Sequence, residues 1–143
     1  MANLTSANSA LTLQIAGLYP APQSIQGYAV DEAFAVDSVK KIEAMMGVDG
    51  RLSAGFTPAP KILHISLQAD SPSNLIFDNW DAAQEAGMTP LECNVVISAP
   101  SLGAKYILTK GFFTDLSPMP DAKKVFQPRK YSITFESMSK APF

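Results

Sequence analysis

Apolar residues recur at every second position through most of the chain, and this alternation restricts the fold more than any other feature of the sequence. In residues 61–68 the apolar positions are Leu63, Ile65 and Leu67, with polar residues between them. A period of two is typical of a β-strand with one buried face and one polar face. The first alternating stretch of the chain, residues 11–15, is expected to end before the prolines at positions 20 and 22. The alternation predicts further strands over residues 11–15, 36–46, 52–56, 92–98, 105–110 and 129–136.

Asp49 and Gly50 separate two of these strands. An Asp-Gly pair between alternating stretches favours a tight turn, so residues 36–56 are predicted to form a long hairpin. Charged strand faces point to water or to a partner. The charged side chains of the hairpin are therefore candidates for a contact surface, with an ordinary solvated hairpin as the alternative. These candidates are Lys40, Lys41, Glu43, Asp49 and Arg51.

One stretch of the chain changes to helical spacing. In residues 73–86 the apolar residues Ile76 and Trp80 recur at the period of an α-helix, Ser71 precedes a proline at the start, and Gly87 follows at the end. A hydroxyl cap, an early proline and a terminal glycine are the usual boundary signals of a helix. The sequence therefore predicts a mainly β fold with one α-helix, whose apolar side packs on the core.

The size and charge of the chain limit its architecture. It has 143 residues and a formal net charge of −2, which fits one domain and gives no strongly basic surface for nucleic acid. We predict a single domain over residues 11–136, between a flexible arm of residues 1–10 and a loose tail of residues 137–143. No apolar run approaches the ~20 residues that span a bilayer, and no secretion signal stands at the start. We therefore expect no membrane insertion, and synthesis in the cytoplasm.

No arrangement of residues points to catalysis or to a cofactor. His64 is the single histidine and Cys93 the single cysteine, and neither has neighbours at the spacing of a metal site or of a nucleophile with its base. His64 is expected on the polar side of its strand and Cys93 in the core. We predict no catalytic residue, no metal ligand and no cofactor, and a protein that is not an enzyme. A solvated loop is expected to hold Asp115, Asp121, Lys123 and Lys124.

Five short stretches, in their order along the chain, resemble a known family. They are Gly-Val-Asp-Gly at 47–50, Leu-Ser-Ala-Gly at 52–55, Leu-Gln-Ala-Asp-Ser-Pro-Ser at 67–73, Leu-Thr-Lys-Gly at 108–111 and Met-Pro-Asp-Ala-Lys-Lys at 119–124. Over about residues 11–136 the chain resembles the tail tube proteins of contractile-tailed bacteriophages. The resemblance implies a β-sandwich or small β-barrel flanked by one helix, a fold that these proteins share with the tube protein of type VI secretion.

The resemblance also implies a structural function. Tail tube proteins form hexameric rings that stack into a hollow tube, and this tube conducts phage DNA into the host. The expected partners are further copies of the chain, the tail sheath, tape-measure and baseplate proteins, and duplex DNA in passage without specific binding. The expected location is the tail of the virion. In this setting the charged hairpin residues are candidates for contacts between stacked rings or along the lumen.

Two alternatives stay open at the level of the sequence. A type VI secretion tube, or the tube of another contractile injection system, would have the same architecture with a different cargo. A monomeric ligand-binding β-barrel would need a closed sheet around an apolar interior. Open sheet edges favour the tube, since they are a liability in a monomer and pair with a neighbouring subunit in a ring.

Overall fold

Nine strands and one α-helix make up the part of the chain that the computed structural model describes, which is residues 9–26, 28 and 34–142. The strands are β1 (Ala10–Ile15), β2 (Tyr19–Ser24), β3 (Phe34–Val36), β4 (Ile42–Met46), β5 (Leu52–Phe56), β6 (Lys61–Leu67), β7 (Cys93–Ala99), β8 (Ala104–Leu116) and β9 (Arg129–Pro142). The helix is α1 (Asn74–Gly87). Of the predicted N-terminal arm, residues 1–8 lie outside the described residues, and Ala10 already belongs to β1.

Seven of the strands form one antiparallel sheet in the order β2-β1-β7-β8-β9-β6-β3, and β4 pairs with β5 alone. Strands β2 and β3 are the two edges, so the sheet is not closed into a barrel. The prediction of a mainly β fold with one flanking α-helix is confirmed.

One face of the sheet and one side of α1 enclose the core. Phe77 and Trp80 of α1 are fully buried, as the helical period predicted. The Phe77 ring stacks on Tyr131 of β9 with 4.2 Å between ring centres, and the Trp80 ring stacks on Phe113 of β8 at 4.8 Å. Cys93 also lies in the core, as predicted. The strands contribute the alternate apolar residues Leu11, Leu13, Ile15, Leu63, Ile65, Leu67, Val95 and Ile97.

A buried arginine fastens α1 to the sheet. The Arg129 side chain, at the start of β9, is 7% exposed and donates two hydrogen bonds to the Asp78 carboxylate of α1, at 2.8 and 3.1 Å. It also donates to the Ser117 carbonyl oxygen, at 2.9 and 3.1 Å, and lies over the Tyr131 ring. The hydrogen bonds with Asp78 raise the pKa of the guanidinium. The helix, β9 and the loop after β8 therefore meet at one cation.

The two longest strands extend beyond their predicted ends. Strand β8 continues to Leu116 and β9 to Pro142, so the prediction of a loose tail from residue 137 was wrong. The end of β9 pairs with the start of β8, where Ala104 faces Pro142 and Leu108 faces Met138. Pairing along this length satisfies backbone groups that a loose tail would leave to water.

Two predictions near the sheet edges were also wrong. The predicted strand over residues 36–46 is divided between β3 and β4. The chain leaves the sheet after Asp37, whose N–H donates to the Ile62 carbonyl oxygen at 3.0 Å. The prolines at positions 20 and 22 do not interrupt the sheet but lie within β2. Proline is tolerated there because an edge strand leaves part of its N–H groups unpaired.

The ends of α1 also differ from the predicted ones. Its N-cap is Ser73, whose side chain forms no capping bond. The hydroxyl of Ser71, the predicted cap, donates instead to the Gln26 carbonyl oxygen at 2.5 Å, and the Ser73 hydroxyl accepts from the Gln26 N–H at 2.8 Å. These serines tie the start of the helix to the chain after β2. Gly87 is the last helical residue, and Met88 ends the helix with a left-handed φ of 49°.

Candidate functional site: an exposed amphipathic hairpin

The hairpin β4–β5 stands apart from the sheet, and its strands pair only with each other. Gly50 lies in its turn with a φ of 82°, a conformation that glycine adopts without strain. Residues directly opposite each other in an antiparallel pair project to the same side. The apolar residues that share one side are the opposed pairs Ile42 and Phe56, Ala44 and Ala54, and Met46 and Leu52. We call these six residues the apolar face.

The apolar face is exposed to water. Its four large side chains are 56% to 75% exposed, and every residue of both strands is exposed. Strands β1, β6 and β7 bury the same kinds of side chain in the core. A continuous apolar surface that is exposed to water is typical of a contact with another molecule. The hairpin is therefore the candidate functional site.

The opposite side of the hairpin is more polar. Glu43 faces Gly55, and Met45 faces Ser53. An antiparallel pair of this kind covers apolar surface with one side and meets water with the other. The hairpin thus has the pattern of a half-buried strand pair, although nothing in the described chain buries its apolar side.

The five predicted site residues all lie on the hairpin or at its base, and all are exposed. Lys40 pairs with Glu43, with 2.6 Å between Nζ and Oε2, and Arg51 lies 3.8 Å from Asp49. Lys41 stands at the base of β4. Ion pairs that are this exposed add little to stability. The structure brings four of the charges into two pairs, and the function of all five stays a prediction.

The apolar face was missed as a candidate at the level of the sequence. The signal was present, because apolar residues alternate within 42–46 and within 52–56, and the Asp-Gly turn fixes the register between these stretches. Together they place the apolar positions on a single side. The sequence does not show that the core leaves this side uncovered.

Hydrogen bonds hold the chain where the hairpin departs. His64 of β6 contacts Asp37, with 2.9 Å between Nε2 and Oδ2, and Ser132 of β9, with 2.9 Å between Nδ1 and Oγ. The residue types are those of a catalytic triad, but the His64 and Asp37 side chains are 41% and 54% exposed. A triad acts in a sheltered site with donors for an oxyanion. We assign these bonds a positioning role, which is to anchor the segment before β4.

A groove of about 460 Å³ lies between the base of the hairpin and β9. Its walls are largely apolar and include Phe56, Pro58, Pro60 and Met138. Phe56 belongs both to this groove and to the apolar face. The uncovered apolar surface therefore continues from the hairpin toward the sheet.

The described residues contain no group of three or more His, Cys, Asp or Glu side chains that could hold a metal ion. Cys93 is buried, and its burial raises the pKa of the thiol. Within the same residues no helix has the length and apolar character needed to cross a membrane.

Comparison with known proteins identifies a family. The family model described as tail fiber protein gp32 matches residues 2–139. The chain belongs to this family. The match includes the hairpin, α1, the long strand β8 and most of β9. Among curated proteins no match was found.

Solved structures share the fold. The chain is similar to one in the cap that terminates the tube of the anti-feeding prophage, with a TM-score of 0.63, 8% identity and coverage of 100% of this chain and 93% of that one. A chain in the baseplate structure of the same particle matches with a TM-score of 0.59, 14% identity and coverage of 99% and 97%. A chain in the sheath/tube terminator of the PVC extracellular contractile injection system matches with a TM-score of 0.55 and 10% identity, and the match covers 92% of each chain. At these identities the likeness concerns the fold, and it confirms the predicted resemblance to tube proteins.

Proposed function

We propose that this chain is a structural subunit that forms hexameric rings, and that these rings stack into the hollow inner tube of a contractile phage tail. The observation that carries the proposal is the exposed apolar face of the hairpin β4–β5. Removing apolar surface from water is favourable, and in a stacked tube the next copy covers that face. The fold supports the proposal because chains in tube cap and sheath/tube terminator structures share it.

In this proposal the tube conducts duplex DNA into the host, and the protein is not an enzyme. The tail sheath surrounds the tube, the tape-measure protein lies within it, and the baseplate closes one end. The subunit is made in the host cytoplasm and is located in the tail of the virion. Similarity to chains in a baseplate and in a sheath/tube terminator supports partners of these kinds.

A second candidate is the tube of a contractile injection system that carries another cargo. The PVC structure favours it, since that structure is of an extracellular contractile injection system and shares the fold. A monomeric ligand-binding barrel has less support, because the sheet has two edges and is not closed. The nature of the cargo distinguishes the phage tube from the injection tube.

Purified protein at high concentration is expected to form rings and tubes. Electron microscopy should show six-fold ring projections, and sedimentation at lower concentration should show a discrete oligomer of six subunits. Each open apolar face needs a second copy to cover it, so assembly should rise with concentration. A uniform monomer at every concentration tested would contradict the proposed function.

The isolated subunit is expected to show no measurable affinity for duplex DNA at physiological salt. Affinity grows with the number of phosphates that Lys and Arg neutralise, and the chain has 11 such residues against 13 Asp and Glu. Fluorescence anisotropy of a labelled duplex, at about 50 and 150 mM salt, measures the affinity and its salt dependence. A micromolar dissociation constant, or a net basic lumen in the assembled tube, would favour nucleic-acid binding instead.

A further inference from the structure

The surface around α1 is acidic and partly unpaired. From residue 62 to residue 104 the chain has no Lys or Arg. Asp78 is neutralised by Arg129, whereas Asp81 and Glu85 form no ion pair with a described residue. The acidic residues of this stretch are Asp70, Asp78, Asp81, Glu85 and Glu92.

Asp81 and Glu85 line a groove of about 320 Å³ beside the last turns of α1. Its apolar walls are formed by Met88, Pro90 and Phe113. Met88 is almost fully exposed, and Phe113 is half-buried over the aromatic core. Two carboxylates next to apolar walls suit a segment that carries positive charges beside apolar side chains. We call this surface the acidic groove.

The chain itself has a segment of this kind in the loop between β8 and β9, residues 117–128. Lys123 and Lys124 precede Val125 and Phe126, and Met119 lies earlier in the loop. The three apolar side chains are 59% to 70% exposed. Neither lysine forms an ion pair among the described residues. We call residues 117–128 the basic loop.

The basic loop is preformed in the subunit. Ala122 and Phe126 form an antiparallel bridge, and the Gln127 N–H donates to the Asp121 carbonyl oxygen at 2.9 Å. At the base of the loop, Arg129 donates to a carbonyl oxygen, as described above. A loop with its backbone already ordered loses less entropy on binding than a flexible one. Its exposed apolar side chains are therefore presented in a fixed arrangement.

The basic loop and the acidic groove lie at different places along α1. Arg129 holds Ser117, at the base of the loop, next to Asp78 in the second turn of the helix. The groove lies along the later turns and past the end of the helix. Neither lysine pairs with Asp81 or Glu85 of its own chain within the described contacts.

We propose that the basic loop of one copy binds the acidic groove of the next copy in the ring. In this contact the two lysines pair with the two carboxylates, and Val125 and Phe126 cover the apolar walls. The inference rests on the proposed function, since it requires copies of the chain to assemble. It names the contact within a ring, whereas the hairpin β4–β5 serves the contact between rings.

The contact is heterologous, because two different surfaces meet. Repetition of a heterologous contact gives a closed ring when the rotation between copies closes. Sheet edges alone offer few hydrogen bonds for this purpose, since β2 contains two prolines and β3 has three residues. A ring of this subunit therefore needs side-chain contacts of the kind that the loop and groove supply.

Charge reversal tests the pairing. The variant Lys123→Glu/Lys124→Glu and the variant Asp81→Lys/Glu85→Lys should each raise the concentration at which half the protein forms rings by about tenfold or more, because like charges then face each other. A chain with all four substitutions should regain assembly, since the charges are exchanged. The matched control, Lys123→Arg/Lys124→Arg, should assemble like the unaltered protein. Sedimentation measures the oligomer, and thermal unfolding confirms that each variant is folded.

Disulfide trapping tests the same contact without a change of charge sign. A chain with both Lys124→Cys and Glu85→Cys should give a ladder of covalent oligomers on oxidation, because each copy links to two neighbours. Either substitution alone should give no ladder. The native Cys93 is buried and should not contribute.

The outcomes separate this inference from the proposed function. If the unaltered protein forms rings and the charge-reversed variants form them equally well, the loop–groove contact is wrong and the proposed function stands. If the variants form rings that fail to stack, the contact lies between rings and the inference is overturned. If the unaltered protein never assembles, the proposed function is contradicted, and the inference that rests on it is contradicted as well. Absence of a ladder from the double-cysteine chain in preformed rings also contradicts the inference.

Discussion

Replacing Met46, Leu52 and Phe56 with serine is expected to leave a folded subunit that forms rings but no tubes. These side chains lie on the apolar face, where they are exposed, and none of them belongs to the core. Covering a large apolar side chain contributes about 1.5–3 kcal/mol, so the loss at three positions in each contact is large. The melting temperature of the isolated subunit should change by less than about 2 °C, because exposed substitutions have small effects on stability. Electron microscopy measures the loss of tubes.

The matched control neutralises the charged candidates instead. Glu43→Gln and Arg51→Gln together leave the apolar face intact and remove one charge of each sign. Tubes should still form, since exposed ion pairs contribute about 1 kcal/mol or less. Deleting residues 47–50 removes the turn and should abolish stacking in a folded chain. If the serine variant stacks normally and the charge-neutral variant does not, the charged residues rather than the apolar face form the contact.

The strands that were predicted correctly have uninterrupted alternation. Strand β6 has a clean period of two, and its predicted and observed bounds differ by one residue. The hairpin β4–β5 was predicted because an Asp-Gly turn and alternation on both sides agree. In such stretches, local pattern and tertiary packing require the same faces, so sequence alone is enough.

The full length of β8 was not predictable from alternation. The pairing of β8 with β7 shifts register next to Cys93 of β7, and its pairing with β9 shifts register between Phe113 and Asp115. Lys110 of β8 also has a positive φ of 53°. An irregularity of this kind moves the following side chains to the opposite face, so the period of two breaks within one continuous strand. The prediction therefore ended at residue 110. The end of β9 was missed for a different reason: residues 137–142 contain few large apolar side chains, although they pair with the predicted first part of β8.

The sequence directed attention to the hairpin through its charged residues and not through its apolar face. The hairpin was singled out for its charges, although its apolar side is the surface that lacks a cover. The bonds of His64 with Asp37 and Ser132 join residues 27 and 68 positions apart. No local spacing encodes such a contact, because it depends on which strands become neighbours in the sheet. The strand order, with β6 between β3 and β9, is a property of the whole chain.

We expect the largest effect on the stability of the subunit from Arg129, whose side chain joins β9 to Asp78 of α1 and to Ser117; we call these hydrogen bonds the Arg129 clamp. Replacing Arg129 with methionine keeps much of the side-chain volume but removes the hydrogen bonds to Asp78 and Ser117. Breaking a buried pair costs about 3–5 kcal/mol. Asp78 is 47% exposed and regains water, so we expect a loss of about 2–3 kcal/mol. That corresponds to a melting temperature lower by roughly 8 °C for a domain of this size, measured by calorimetry.

Two further variants decide whether the ion pair or the general packing of Arg129 is responsible. Asp78→Asn keeps an acceptor for the guanidinium and should cost about 1 kcal/mol, as for one weakened hydrogen bond. Lys130→Ala changes the exposed neighbour of Arg129 on β9 and should stay within about 0.5 kcal/mol of the unaltered protein. The expected order of stability loss is therefore Arg129→Met, then Asp78→Asn, then Lys130→Ala. If Arg129→Met and Lys130→Ala lowered the free energy of unfolding equally, the clamp would be contradicted. Equal losses would mean that any substitution at this end of β9 destabilises the subunit, whether the cation is buried or exposed.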